Sequence, residues 1–274
     1  MTGTGRAELF SLLDITGADA GECRRILASP PNASVQRALA ALEERLGTFP
    51  TASITSSDIS EVEWVEALLR FAPAVHEYHL AQGVDADTSA ATLADMGLQL
   101  RINRRVHGQF GLDTWGWLTL HMAGNLFRLG RLQFHLVRAE ANQSSAKSQW
   151  VLGVHIPEDG GLSRALVDAS FEEARSFFAR CFPDKPVATA TCDSWMLDPY
   201  LLAKLPESNI AGFARRFTVD RCTDAPTDAV YFTFRHRGLE NLDSLPRETS
   251  LQRVVLERID DGGTWQLGHG HLAL

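Results

Sequence analysis

The apolar positions of the chain change their period part-way along. Between residues 34 and 46, Val35, Leu39, Leu42 and Leu46 recur at threes and fours, and Gly47 closes the run. That spacing predicts an amphipathic helix opened by Ser34. Ser60 opens a second run with Val62, Val65, Leu68 and Leu69, which Pro73 is expected to interrupt or kink. A third helix is expected from Thr88 or Ser89 to Val106, with Leu93, Met96 and Leu100 along it and arginines suiting its C-terminal end. The polar stretch 51–60 reads as a linker. Up to about residue 110 the pattern is helical throughout.

After Gly111 the grammar is different. Leu132, Phe134 and Leu136 alternate with Arg131, Gln133 and His135, predicting a half-buried strand over 131–139. A polar loop follows at 142–149, then WVLGVHI at 150–156, and the two strands read as a hairpin. Residues 157–161 stop it. Ser163 then introduces a helix to Phe182 that presents Ala165, Ala169, Phe171, Ala174, Phe177 and Phe178 on one broad face. The β-branched run at 187–195 predicts another strand, followed by a short helical zone at 199–216. Two further strands are expected at 229–237 (AVYFTFRHR) and 251–259 (LQRVVLERI), and a turn at 260–263 leads into the final segment. Such an order implies a helical domain over 1–110 and a mixed-sheet layer over 111–274.

Composition narrows this picture. With 274 residues, 45% of them hydrophobic and 22% charged, the chain can bury a real core, which excludes whole-chain disorder. No apolar stretch of about 18 residues is present, so no membrane span is expected. The N-terminal segment shows no basic region leading into an apolar block, and Asp14 breaks its short apolar run, so a cytoplasmic location is expected. The 26 basic against 34 acidic residues argue against a protein that wraps nucleic acid. Cys23, Cys181, Cys192 and Cys222 form no CxxC pair and are expected as reduced thiols.

Several residues carry chemistry. His155 and Cys192 fall near the C-terminal ends of two strands flanking one crossover helix, where ligands of such sheets bind. They suggest a thiolate nucleophile with its base, or His155 alone as base, against the plainer reading of a core cysteine and a hydrogen-bonded histidine. Glu158 and Asp159 precede a helix start where Gly160 and Gly161 permit close approach of an anion, although two acids would repel a phosphate. His269 and His271 alternate on one strand; they read as strand decoration rather than metal ligands, and no metal is expected. Asp198 is positioned to cap the next helix. Trp195 reads either as a ligand-stacking ring or as an apolar lid over the core.

The segments LFRLGRLQF, GVHIPEDGGLS, ATCDSWMLDP, ESNIAGFARRF and LPRETSLQRVVLERI resemble those of the actinobacterial GNAT-like acyltransferases over essentially the whole chain. The resemblance implies an α+β protein in which an all-helical N-terminal domain precedes a GNAT-like mixed β-sheet domain. It implies transfer of an acyl group from acyl-CoA or acetyl-CoA, or from an acyl carrier protein, to a small amine or hydroxyl acceptor. By position, His155 and Ile156 would pair with pantetheine, while Gly160, Gly161, Ser163 and Arg164 would face the pyrophosphate. His155 or Glu158 would serve as base, Cys192 as a possible acyl carrier, and Gln133, Asp193 and Trp195 would meet the substrate. Three departures from the family pattern stand out. PEDGG replaces the Gln/Arg-x-x-Gly-x-Gly/Ala loop, segment 209–217 carries Phe213 but no tyrosine, and Asp193 stands where related sequences tend to have histidine. They leave a catalytically silent GNAT-like binding or scaffold protein as the alternative reading, with a Cys192 hydrolase or thioesterase as a third.

Overall fold

The computed structural model describes residues 3–139 and 149–274. The polar loop expected at 142–149 falls, up to residue 148, outside them. The chain opens with helices α1 (Gly3–Leu12), α2 (Gly17–Ile26), α3 (Ala33–Arg45), α4 (Glu61–Ala81), α5 (Ala86–Leu93), α6 (Asp95–His107) and α7 (Trp115–His121). Local capping sets several of these boundaries. Asn32, rather than Ser34, caps α3 by accepting from the Val35 N–H, and Ser60 and Glu63 form a reciprocal capping box at α4. The α4 helix runs through Pro73. The cost of an interior proline, about 3 kcal/mol, is offset by burial of Val65, Leu68, Leu69, Phe71 and Val75 along it. The single helix expected from residue 88 to 106 is two, because Asp85 caps α5 early and the chain breaks at Ala94.

Alternation begins later than Gly111, since α7 intervenes and its Leu118, with the following Met122, belongs to the helical core. Then come β1 (Leu126–Leu129), β2 (Leu132–Arg138), β3 (Trp150–His155), α8 (Arg164–Cys181), β4 (Val187–Ser194), α9 (Pro199–Lys204), α10 (Asn209–Ala214), β5 (Thr218–Asp224), α11 (Asp228–Phe234), α12 (Ser250–Asp260) and β6 (Gln266–Ala273). Among the described residues the sheet has the order β1-β2-β3-β4-β6-β5. It is antiparallel except at β3–β4, which the α8 crossover makes parallel.

The two strands expected at 229–237 and 251–259 are the helices α11 and α12. Thr249 and Gln252 form a capping box at α12, and Val254, Val255 and Leu256 bury against Trp195 and Trp265 in a small third core. The strand that does lie in this region, β5, is the polar stretch TVDRCTD, exposed along most of its length at the sheet edge. On α8 the buried stripe is Val167, Phe171, Ala174, Phe177 and Phe178, whereas Ala165 and Ala169 face outward. This stripe covers the sheet face carrying Phe134, Leu152, Val154 and Cys192. On the opposite face, β1–β3 are covered by the helical domain, and Arg128 of β1 donates its N–H to Thr92 of α5 at 2.9 Å. The β4–β6–β5 half of that face is open.

Candidate active site

Register decides where the candidate side chains point. In the parallel ladder Gly153 faces Thr191 and Leu152 faces Ala190. His155 therefore shares its face with Gly153 and Thr191, and Cys192 shares the other with Leu152 and Ala190. The Cys192–His155 pair is not formed, because the sheet separates the two side chains. Cys192 is buried against α8, and that burial pushes its thiol well above the ordinary range, which leaves no thiolate to act.

His155 sits under the helical domain, with its ring 4.8 Å from Trp117 and 5.9 Å from His135. Part of the residue is exposed, but Nε2 is sealed and has no hydrogen-bond partner. Burial, with His121 as a second cause, holds its pKa down at about 4. Protonating such a ring at pH 7 costs roughly 4 kcal/mol, so it is poorly suited as a base. Gln133 is likewise buried, and its amide reaches His121 Nε2 at 3.2 Å instead of facing a substrate. Trp195 is the lid over the third core, packed edge-on against Trp265. Asp198 caps α9 as expected. Its carboxylate also accepts from Arg258 and the Gln266 N–H, which anchors the α11–α12 insertion.

Glu158 is not free to take a proton. Arg105 of α6 and Arg235 at the end of α11 both pair with it, so it joins the helical domain, the 157–163 loop and the insertion. Asp159 pairs with Arg128 at 2.7 Å. Both acids are thus compensated, and the repulsion they threatened toward a phosphate is removed.

The organiser of the loop is Arg131, which the sequence pattern placed only as the polar phase of a strand. It is buried, and it donates to the carbonyls of Pro157 (2.8 Å), Gly160 (2.6 Å) and Gly161 (2.9 Å). Every peptide here is trans, so each carbonyl turned inward turns the N–H of the next residue outward. The N–H groups of Glu158, Gly161 and Leu162 therefore face away from Arg131. They lead into the amino end of α8, whose first turn carries no acid and whose N-cap, Ser163, makes no side-chain cap. Four unsatisfied N–H groups and the positive dipole end make this a place for an anion. Leu162 and Arg164, together with Glu207, Ser208, Asn209 and Arg215 of the α10 region, are among the residues lining a cleft of about 180 Å³ beside it, with two arginines against one acid. Nothing in the sequence pattern singles out Arg215; the packing of α10 on α8 brings it to this cleft.

Next to the cleft the sheet opens. Pairing of β3 with β4 reaches Gly153 and Thr191 and no further, while β3 runs on to His155 and β4 to Ser194. β2 stays paired with β3 up to His155, and β6 stays paired with β4 up to Ser194. The parting leaves the facing backbone edges without each other. Beyond it, on the open face, stand Asp193 and His269, directly opposed across β4 and β6. His269 and His271 each hold an aspartate, Asp193 and Asp220, and the described residues contain no cluster suited to a metal.

A helical domain followed by a sheet parted between two parallel strands, with an anion-ready turn ahead of the crossover helix, defines an acyltransferase of GNAT-like fold. Residues 6–124 match the N-acyltransferase N-terminal domain and residues 126–272 the GNAT-like C-terminal domain. The chain belongs to this family. It is similar to a solved acyltransferase mutant in complex with octanoyl-CoA, at 30% identity and a TM-score of 0.88, covering 100% of this chain and 89% of that one. An acyltransferase in complex with CoA and 10C-teicoplanin matches at 30% identity and 0.87, covering 99% and 88%. Another, with decanoyl-CoA and teicoplanin, matches at 30% and 0.87, covering 100% and 89%. No curated protein matches the sequence. Among the described residues no helix is long and apolar enough to cross a membrane.

Proposed function

We propose that this acyltransferase moves an acyl group from acyl-CoA to an amine or hydroxyl of a small-molecule acceptor. The observation that carries the reading is the parting of β3 and β4 directly beside the outward N–H groups of the 157–163 loop. The unpaired edge at His155 and Ile156 offers the donors and acceptors that the amide-rich pantetheine arm requires. Gly161, Leu162, Ser163 and the first turn of α8 receive the pyrophosphate, and Arg164 and Arg215 supply positive charge across the cleft. In this arrangement the loop whose carbonyls Arg131 holds, with its N–H groups turned outward, takes the place of the glycine-rich loop of other GNAT enzymes. The thioester then emerges between the strand ends onto the open face, where the acceptor attacks its carbonyl carbon. The nucleophile loses a proton, the C–S bond breaks, and the CoA thiolate leaves and is protonated. The related structures bind octanoyl-CoA and decanoyl-CoA, which favours a medium-length acyl chain here.

A thermal-shift series with CoA, acetyl-CoA and octanoyl-CoA tests the reading. Ligand at 100 times its dissociation constant adds about 2.7 kcal/mol of stability, which raises the unfolding temperature measurably. An unchanged unfolding temperature with all three overturns the reading.

A further inference from the structure

We propose that His269, oriented by Asp193, is the general base of the transfer. The inference deepens the acyl-transfer reading above and rests on it. Asp193 and His269 are paired residues on adjacent antiparallel strands, so their side chains rise from the same face of the sheet. His269 Nδ1 lies 2.9 Å from Asp193 Oδ1, and its Nε2 lies 2.9 Å from Thr223 Oγ1 of β5. A carboxylate can only accept, so Nδ1 carries a proton, and in the neutral ring Nε2 presents a lone pair. In the free protein the Thr223 hydroxyl donates to that lone pair. A base whose tautomer and ring plane are set by a carboxylate is the arrangement that proton abstraction from a weak nucleophile requires.

The position fits the chemistry. On this face Asp193 is the next β4 residue after Thr191, where pairing with β3 ends, so Asp193 borders the opening and His269 stands one strand further in, on β6, with Nε2 on the β5 side. Asp193 is 63% exposed and His269 17%, which leaves the ring supported but reachable. The strand around it is built to hold it. Gly268 and Gly270 point to the opposite face, where a Cβ on Gly268 would come within 2.6 Å of Leu197 Cβ, so the backbone packs tightly beneath the histidine. The alternatives are worse placed: His155 Nε2 is sealed, Cys192 lies behind the sheet, and Glu158 is clamped by two arginines.

The step balances without another reactant. The acceptor N–H or O–H gives its proton to Nε2 as its lone pair forms the bond to the thioester carbon. The tetrahedral intermediate collapses, the C–S electron pair leaves with sulfur, and Nε2 returns the proton to give free CoA thiol. Amide or ester and neutral His269 remain, with Thr223 free to donate to Nε2 again. His269 is the catalytic residue in this scheme, and Asp193 is a positioning residue.

The experiment follows release of CoA thiol from octanoyl-CoA, with glucosamine as amine probe and with water, alongside calorimetric binding of octanoyl-CoA. His269→Ala is expected to lower release by about 100-fold or more, to leave octanoyl-CoA affinity unchanged, and to recover part of the rate on addition of free imidazole. Asp193→Asn is expected to lower the turnover rate, again with donor affinity unchanged. Unaltered turnover in His269→Ala overturns the assignment, as does a wild-type protein that binds octanoyl-CoA yet discharges it to neither probe. An octanoyl ester on Thr223, seen by intact mass, also overturns it by making that hydroxyl the nucleophile. A wild-type protein that fails to bind octanoyl-CoA at all rejects the underlying reading instead.

Discussion

His155 and Cys192 lie on opposite faces of the sheet, although both fall near the C-terminal ends of neighbouring parallel strands. Parallel register places Leu152 beside Ala190 and Gly153 beside Thr191, so the two chains run out of phase by the one residue that matters. A thiol–imidazole couple between them is sterically excluded, and the chemistry moves to side chains on the face His155 shares with Asp193.

Cys192 is accordingly expected to be inert. Iodoacetamide on the folded protein should label the half-exposed Cys222 before Cys192, as read by peptide mass. Intact mass after prolonged incubation with octanoyl-CoA should show no acyl adduct on Cys192. An adduct there would restore the acyl-enzyme route.

Arg131 is expected to control donor binding at one remove. Arg131→Met leaves the carbonyls of Pro157, Gly160 and Gly161 without their shared donor, which should cost about 2 kcal/mol of stability. Octanoyl-CoA affinity should fall at least tenfold, because the N–H groups on the outer side of the loop lose their fixed direction. Arg131→Lys should recover little of either, since one ammonium cannot span three carbonyls as a planar guanidinium does. Denaturant unfolding and calorimetry check the two effects separately.

Glu158 is expected to act as a clamp. Glu158→Gln weakens its pairs with Arg105 and Arg235, which lie partly in solvent, so the loss should be about 1 kcal/mol. Turnover should fall by less than tenfold, and limited proteolysis should open the 225–265 insertion first. A loss of several hundredfold in turnover with unchanged stability would return Glu158 to the role of base.

The buried histidines between the domains set an acid limit. Burial holds His155 at about 4, and His135 at about 3 with His155 as a second cause, against about 6.5 in the unfolded chain. Below pH 6.5 the unfolded chain takes up protons that these rings refuse, so their stabilising contribution is full above that pH and drains as pH falls toward 4. For His155 alone the full loss is roughly 3 kcal/mol. Urea midpoints measured from pH 7.5 to 5 should fall, and His155→Asn should flatten the fall. A midpoint independent of pH over that range would contradict the buried, neutral assignment.

Much of this fold was legible in the chain. The spacing of Phe171, Ala174 and Phe178 buries one face of α8, so period and structure agree there. The alternation of Leu132, Phe134 and Leu136 does mark a strand, but β2 is not half-buried: Gln133 and His135 are buried too, because the helical domain covers the second face. Segments 229–237 and 251–259 misled because β-branched and aromatic density reads as strand, whereas here a capping box and a third apolar core hold helices. The exposed edge strand β5 buries little and leaves almost no pattern. Of the site, the position of the turn before α8 was readable. Its Arg131 core was not, since an arginine on the polar phase of a strand carries no sign that it will be buried. Asp193 and His269 were each visible singly, but their pairing depends on a register between strands 76 residues apart. Only the Gly-His-Gly alternation at 268–270 hinted that the backbone there is packed closely on one side.

The account rests on acyl-CoA entering the parting between β3 and β4, and isothermal titration of octanoyl-CoA into the folded protein tests that most directly. The expected result is a single binding event, weakened at least tenfold by Arg131→Met and by the Arg164→Ala, Arg215→Ala double variant, and unchanged in His269→Ala. Absence of binding heat at two temperatures, or binding that ignores the arginine substitutions, would contradict it.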